Sequence, residues 1–260
     1  MLGKTYILGV GITTTRKDKI LESISDVLQE GRVKYGKGST NDEKVVIFTP
    51  NPEQLSVASR NPEMSLVLNQ AQVALPDGVG LVAASRLLGK PIYAKISGIN
   101  FIGDMLEYLS RLPDRQAKRP VVIGCLGGQK QVAVEAGNCL QEKYSWISIG
   151  YASEAYDKEK MMHSDIDILF VGLGFPKQEK WILEHKDEIP ARVIMAVGGS
   201  LDFLSGRVTR APEWIQKVGL EWLFRLMIQP WRFFRQLRLL HFSALILVEA
   251  LTSRVKKLKV

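Results

Sequence analysis

The chain has 260 residues, of which 46% are hydrophobic and 24% charged, a composition typical of a soluble globular protein large enough to bury a core. No segment reaches the run of about 18 apolar residues that a spanning helix needs, and the N-terminal apolar run is too short for a signal peptide, so we expect an unprocessed cytoplasmic chain. The net charge of +8 is confined to residues 207–260, which hold eleven Lys and Arg against three Glu and therefore favour an anionic partner.

Short β-branched runs alternate with amphipathic segments of helical length along most of the chain. The predicted strands are residues 6–10, 45–48, 72–75, 121–126, 147–150, 166–172 and 192–197. The predicted helices between them are residues 17–30, 53–70, 79–89, 101–111, 129–143, 155–162 and 177–188. This alternation predicts an α/β fold with a mostly parallel, Rossmann-like sheet flanked by helices. We expect residues 1–206 to form this core and residues 207–260 to form a basic, helical C-terminal appendage.

Small and polar residues gather where the predicted strands end. They occupy residues 49–51, 76–78, 127–128, 174–179 and 198–200. In open α/β sheets ligands bind beyond the carboxyl ends of the strands. If the strands are parallel, these five segments share one edge of the sheet, which we call the carboxyl edge.

Asp77 stands in the second of these segments, in the sequence Pro76-Asp77-Gly78. Pro-Asp-Gly is a common turn signature, so Asp77 has an ordinary structural explanation. Its position at the end of a strand favours a second one, in which the carboxylate accepts a proton from an incoming hydroxyl group as a general base.

The segment 172–179, GLGFPKQE, predicts a strand, a glycine-containing turn and a helix that opens near Pro176. The free N–H groups at such a helix start suit the phosphates of a nucleotide, and Gln178 could hydrogen-bond a sugar or a uracil edge. An ordinary strand-to-helix loop has the same composition. Neither a GxGxxG fingerprint after the first strand nor a Walker P-loop is present.

The sequence predicts no metal site. His163, His185 and His241 are far apart and lack the spacing of metal ligands. Asp165 and Asp167 have the spacing of a metal-binding pair, but they precede a predicted strand and should lie on the edge opposite to the carboxyl edge.

The C-terminal segment predicts two helices separated at Pro230. Arg225, Arg232, Arg235 and Arg238 recur at intervals of three and seven residues, which brings them close to one helical stripe, and large aromatic residues lie between them. Basic stripes with aromatic residues suit the surface of an anionic membrane. Ordinary packing and nucleic-acid binding use similar residues, so the pattern leaves all three open.

Eight motifs, taken together and in order, resemble the WecG/TagA/CpsF family of bacterial glycosyltransferases. They run from residue 49 to residue 235: TPN (49–51), LPDG (75–78), SGIN (97–100), VGLGFPKQEKWI (171–182), VGGSLDFLSG (197–206), RAPEW (210–214), GLEWLFRL (219–226) and PWRFFR (230–235). The resemblance implies a metal-independent, inverting enzyme that needs no cofactor. It would move a sugar such as N-acetylmannosamine from a UDP donor to a polyprenyl-diphosphate-linked sugar.

The resemblance also implies roles for individual residues. Asp77 matches the catalytic base of the family. Thr49, Asn51 and Gln178 match positions that contact the substrate. Arg225, Arg232 and Arg235 match the arginines of the family's C-terminal appendage. The resemblance also implies that the protein is peripheral on the inner face of the cell membrane. It does not decide whether the protein forms a homo-oligomer.

The sequence departs from the family pattern at two substrate-site positions. Members usually carry arginine at the position of Lys95 and aspartate at the position of Asn100. Lysine keeps the positive charge but loses the planar fork of arginine, and asparagine loses a negative charge. Both departures bear on the identity of the donor sugar and not on the reaction class. Two other functions compete with the transferase: another nucleotide-binding α/β enzyme such as a dehydrogenase, and a nucleic-acid-binding protein that uses the basic segment.

Overall fold

The computed structural model of the chain describes residues 2–33, 44–112, 119–228, 230 and 233–258. Its centre is a six-stranded sheet in the order β4-β3-β8-β7-β5-β6, and every neighbouring pair is parallel. The strands are β3 (Val45–Phe48), β4 (Val73–Ala74), β5 (Val121–Gly127), β6 (Ile147–Ser153), β7 (Ile168–Gly172) and β8 (Val193–Ala196). The predicted α/β class and parallel sheet are confirmed, and the carboxyl ends of all six strands lie on one edge.

The predicted first strand, residues 6–10, is wrong, because the chain forms a separate antiparallel hairpin there. Strands β1 (Lys4–Ile7) and β2 (Val10–Thr13) are joined at Leu8 and Gly9, whose φ angles are 48° and 79°. Two consecutive positive φ angles give the tight turn that matches strand twist. The hairpin packs beside β4, where the Ala74 N–H donates to Thr13 Oγ1 at 2.9 Å.

Helices cover both faces of the sheet and bury a separate apolar cluster on each. One face carries α1 (Lys17–Val33), α5 (Gly98–Ser110), α6 (Val132–Lys143) and α9 (Ser200–Leu204). The other carries α2 (Pro52–Ala58), α3 (Pro62–Asn69), α4 (Val79–Leu87), α7 (Lys158–Met162), α8 (Lys177–His185) and α12 (Phe233–Leu258). The strands between two covered faces are almost entirely buried, which explains their continuous apolar sequence.

The predicted helix 53–70 is two helices, because the sequence contains a second start signal. Asn61 caps α3 by accepting the Met64 N–H at 3.2 Å, and Pro62 occupies the first turn. Proline lacks the N–H that would continue the preceding helix. The break lets α2 and α3 follow the sheet as two short segments.

The C-terminal segment lies against its own chain. Two short helices, α10 (Glu213–Lys217) and α11 (Glu221–Ile228), precede the long helix α12, and α11 and α12 lie on either side of Pro230 as predicted. Phe242 and Ile246 of α12 belong to the apolar cluster that includes α2 and α4, and Ala250 is also buried. Within the described ranges, no helix is both long and apolar enough to cross a membrane. A domain boundary at residue 206 stays a prediction, although α12 shares the core of the preceding residues.

Candidate active site

A pocket of about 580 Å³ opens at the carboxyl edge of the sheet, next to Asp77. Its volume lies within the range of small-molecule sites. Its lining includes Asn51 after β3, Asp77 after β4 and Lys95, together with Glu221 and Arg225 of α11. Only two of the five segments predicted at this edge line the pocket, and the C-terminal segment closes it.

The chain around Asp77 is held by backbone contacts on both sides. The Asp77 N–H donates to Pro50 O at 3.0 Å, and the Ile96 N–H donates to Pro76 O at 2.8 Å. Gly78 has a φ of 95°, and a Cβ at this position would lie 3.3 Å from Pro52 Cδ. The turn signature is therefore real, and it fixes the carboxyl group of Asp77 in the pocket wall.

Burial raises the pKa of Asp77 from 3.8 to about 6, and the nearby negative charge of Glu221 adds to the shift. The positive charges of Lys95 and Arg225 and a hydrogen bond from the Gly78 N–H act in the opposite direction on this pKa. Because a pKa near 6 leaves the group ionised at neutral pH yet able to hold a proton, Asp77 has the properties that a general base needs.

Arg225 and Lys95 place positive charge in the same pocket. Arg225 lies over the ring of Phe203, with its Cζ 4.4 Å from the ring centroid, an arrangement in which the ring stabilises the cation. Lys95 is half-buried and lines the pocket. Two further arginines were predicted for the site. Arg232 lies outside the described residues. Arg235 lies on α12, and the structure describes its backbone only.

Asn51 lines the pocket and also begins α2. Its Oδ1 accepts the Gln54 N–H at 3.0 Å, while its own N–H donates to Gln54 Oε1 at 3.3 Å. This capping box fixes both residues. Thr49 is half-buried and is not among the residues that line the pocket; it lies beside the start of α5, where a Cβ on Gly98 would be 3.3 Å from Thr49 Cγ2. Substrate contacts of Asn51 and Thr49 stay predictions.

Gln178 is buried and connects two loops of the carboxyl edge. Its Oε1 accepts the Gly198 N–H at 2.9 Å and the Gly174 N–H at 3.2 Å, and its Nε2 donates to Glu179 Oε1 at 2.9 Å. Its contact with a substrate stays a prediction, whereas its hydrogen bonds hold the loops after β7 and β8 together.

Glu179 is a buried acid that sequence reasoning missed, although it stands beside Gln178 in the GFPKQE turn. Its Oε1 also lies 3.4 Å from Gln54 Nε2, so it connects this turn to α2 and the capping box. Burial raises the pKa of Glu179, and its Oε2 has no hydrogen-bond partner among the described residues.

Asn100 is exposed and does not line the pocket. Its Oδ1 accepts a hydrogen bond from Arg210 at 2.6 Å, and Arg210 Nε lies 3.5 Å from Glu221 Oε1. Since Glu221 raises the pKa of Asp77, Asn100 is connected to the pocket through two charged residues. Arg210 and Glu221 were not predicted as site residues, because only the fold brings them beside α5 and Asp77.

The groups considered for a metal site have other contacts in the structure. Asp167 accepts from the Val122 N–H and pairs with Arg119 at the edge opposite to the carboxyl edge, as the sequence predicts. Over the described part of the chain, no three His, Cys, Asp or Glu side chains are grouped so as to hold a metal ion.

The pocket at the carboxyl edge of the parallel sheet is lined by three carboxylates, Asp77 among them, and two cations, which defines an α/β enzyme with its ligand site at that edge. Comparison with known proteins gives the family. The model of the Glycosyl transferase WecG/TagA/CpsF family matches residues 5–256, so this chain belongs to that family, as the motifs indicated. The match decides against the dehydrogenase and the nucleic-acid-binding protein as its class.

Curated relatives carry a specific name, N-acetylglucosaminyldiphosphoundecaprenol N-acetyl-beta-D-mannosaminyltransferase. The protein of Bacillus subtilis (strain 168) is 32% identical over 216 residues, covering 80% of this chain and 82% of the relative. That of Bacillus spizizenii (strain ATCC 23059 / NRRL B-14472 / W23) is 35% identical over 197 residues, 74% of each chain. That of Staphylococcus aureus (strain MRSA252) is 31% identical over 231 residues, covering 86% of this chain and 85% of the relative.

Proposed function

We propose that this protein transfers an N-acetylmannosamine-like sugar from a UDP donor to a polyprenyl-diphosphate-linked N-acetylglucosamine, without a metal ion. The names of the relatives support the sugar and the acceptor. The observation that carries the proposal is Asp77, a half-buried carboxylate with a pKa of about 6 in a pocket that also holds Lys95 and Arg225.

The reaction that we propose is a single displacement, with Asp77 as the base. A hydroxyl oxygen of the acceptor sugar attacks the anomeric carbon of the donor and forms the new C–O bond. The bond from that carbon to the UDP oxygen breaks, and UDP leaves with the electron pair. The hydroxyl proton passes to the carboxylate of Asp77, and the configuration at the anomeric carbon is inverted.

The charge that develops on the leaving diphosphate needs stabilisation during this step. Lys95 and Arg225 supply positive charge within the pocket, and helix α4 begins at Val79, directly after Asp77 and Gly78, with its free N–H groups. Fixed charges and dipoles of this kind, placed in advance, are the main source of transition-state stabilisation in such reactions. They would take the part that a divalent cation plays in metal-dependent transferases.

The C-terminal helices present the surface that we propose meets the membrane. Large apolar side chains are exposed there: Trp214, Leu220, Trp222, Met227, Phe233 and Leu240. The same segment holds the net charge of +8. Exposed apolar groups beside basic ones suit peripheral binding to the anionic inner face of the cell membrane, where a polyprenyl acceptor would reside. Homo-oligomer formation stays a prediction.

The proposal is tested by supplying a panel of radiolabelled UDP-sugars with a short-chain prenyl-diphosphate-N-acetylglucosamine acceptor, with and without EDTA. We expect transfer from an N-acetylated UDP-hexosamine that EDTA does not reduce. Activity restored only by added magnesium or manganese would contradict metal independence. Absence of transfer from every UDP-sugar would contradict the donor class. Sedimentation with anionic and with neutral vesicles tests the membrane surface separately.

A further inference from the structure

The pocket at Asp77 does not end at the polar groups but continues as an apolar groove between α4 and α12. Ala83 and Leu87 of α4 face it from one side, and Leu239, Ile246 and Leu247 of α12 face it from the other. From Val79 to Leu87, α4 extends for about 12 Å. The polar lining residues, apart from Ser243, lie at the Asp77 end.

The two helices are fixed in this arrangement at the far end of the groove. Lys90, which follows α4, forms an ion pair with Glu249 of α12 at 2.7 Å. Ile246 is buried and forms the floor, whereas Leu87 and Leu247 are 45% and 56% exposed and form the lips. The groove therefore runs from Asp77 to a solvent-facing exit with apolar lips, next to the Lys90–Glu249 ion pair.

A ligand that fills both parts must have a polar head and an apolar tail. Among the described residues that line the groove beyond Lys95 and Arg225, the side chains are apolar apart from Ser243, which leaves a nucleoside few hydrogen-bond partners there. UDP-sugars are polar throughout, whereas the acceptor joins a diphosphate directly to a prenyl chain. The prenyl chain is the apolar part of the two substrates, so the change from polar to apolar lining along the groove selects the acceptor.

We propose that the first isoprene units of the acceptor bind between α4 and α12. The enzyme would then recognise the prenyl chain as well as the sugar and the diphosphate of the acceptor. This inference rests on the proposed function. At the exit, exposed Val248 and Leu251 continue the apolar surface of α12. The rest of the prenyl chain leaves along this surface toward the membrane.

The proposal predicts how the KM for the acceptor depends on prenyl length in the absence of membranes. By the usual transfer free energy of methylene groups, fewer than two buried carbons already give a factor of about ten, so each five-carbon isoprene unit that enters the groove should lower KM at least tenfold. KM should fall over the first units and become constant once the groove is filled. Acceptors with one to five units, each kept below its critical micelle concentration, provide the series.

Ala83→Trp tests the groove directly, since Ala83 is exposed and can carry a larger side chain without disturbing the core. We expect this variant to raise the acceptor KM at least tenfold and to abolish its dependence on prenyl length. Leu87→Gln, at the lip, should weaken the dependence. The matched control is Ala244→Trp, because Ala244 is also an exposed alanine of this helix pair but does not line the groove.

Failure of this inference differs from failure of the proposed function. A wild-type enzyme that transfers sugar with the same KM at every prenyl length would overturn the groove and leave the transferase intact. So would an Ala83→Trp variant that folds normally by thermal melting and behaves like Ala244→Trp. If Ala83→Trp instead changed the sedimentation coefficient and not the acceptor KM, the groove would be an interface between copies and the proposal would be wrong.

Discussion

The substitution Asp77→Asn should increase the free energy of unfolding at neutral and alkaline pH, although it removes the proposed base. Because the pKa of Asp77 rises from 3.8 to about 6 on folding, the folded state holds the proton more tightly than the unfolded state. This stabilisation is complete below pH 4 and is lost as the pH rises through 6. Asparagine is neutral at every pH and does not lose it.

The size of the effect follows from the pKa shift. A shift of about two units, at 1.36 kcal/mol per unit, gives about 3 kcal/mol above pH 6. Since Asp77 is only half-buried, about 2 kcal/mol is the more realistic gain. For a chain of this size, that corresponds to a rise in Tm of roughly 4–8 °C.

The assay is thermal unfolding of wild type and Asp77→Asn at about pH 4.5, 6 and 8. The difference in Tm should be smallest at the lowest pH, widen toward pH 7 and stay constant above it. Asp187→Asn is the matched control, because Asp187 is exposed, and it should show no such widening. If Asp77→Asn melted below wild type at pH 8, or the difference did not change with pH, the electrostatic description of the pocket would be wrong.

Three further substitutions test the surroundings of the pocket. Glu179→Gln should keep most of the stability and activity, since an amide oxygen can still accept a hydrogen bond from Gln178. Glu179→Ala should lower the free energy of unfolding, measured with denaturant, by about 1–3 kcal/mol because buried donors lose their partner. Lys95→Arg should change the relative kcat/KM across a panel of UDP-sugars through its bidentate fork, and an unchanged ranking would contradict a donor contact. Asn100→Asp should compete with Glu221 for Arg210 and leave more negative charge near the base. Because an exposed ion pair contributes about 0.2–1 kcal/mol, the acidic limb of the kcat/KM profile should move to higher pH by roughly 0.1–0.7 units; a shift to lower pH would contradict this.

The fold was largely predictable because the strands are buried on both faces and carry continuous apolar sequence. The exceptions have local causes. Residues 6–10 read as one apolar run, but Leu8 and Gly9 adopt positive φ angles and reverse the chain. Residues 207–260 were predicted to form an appendage because of their positive charge, yet Phe242 and Ile246 of α12 are part of the core. Their burial depends on contacts distant in sequence, which charge counting does not register.

The site was predictable where it depends on strand ends and less so where it depends on packing between distant segments. Asp77 stands in the pocket because it follows β4, and that much follows from strand order. Glu221 and Arg210 join it from residues more than 130 positions away. Gln178 lies in a motif that suggests a ligand contact. In the structure its side-chain oxygen accepts hydrogen bonds from the N–H groups of Gly174 and Gly198. This structural role of Gln178 cannot be predicted from the motif, because it depends on how the loops after β7 and β8 pack together.

The most direct test of this account is the turnover of Asp77→Asn at saturating donor and acceptor, measured together with the Kd for the UDP-sugar. Loss of the general base should lower kcat by roughly 10²–10⁴, while the Kd for the donor stays within about twofold, and Asp187→Asn should behave as wild type in both measurements. Near-normal turnover by Asp77→Asn would remove this carboxylate from the mechanism and contradict the account.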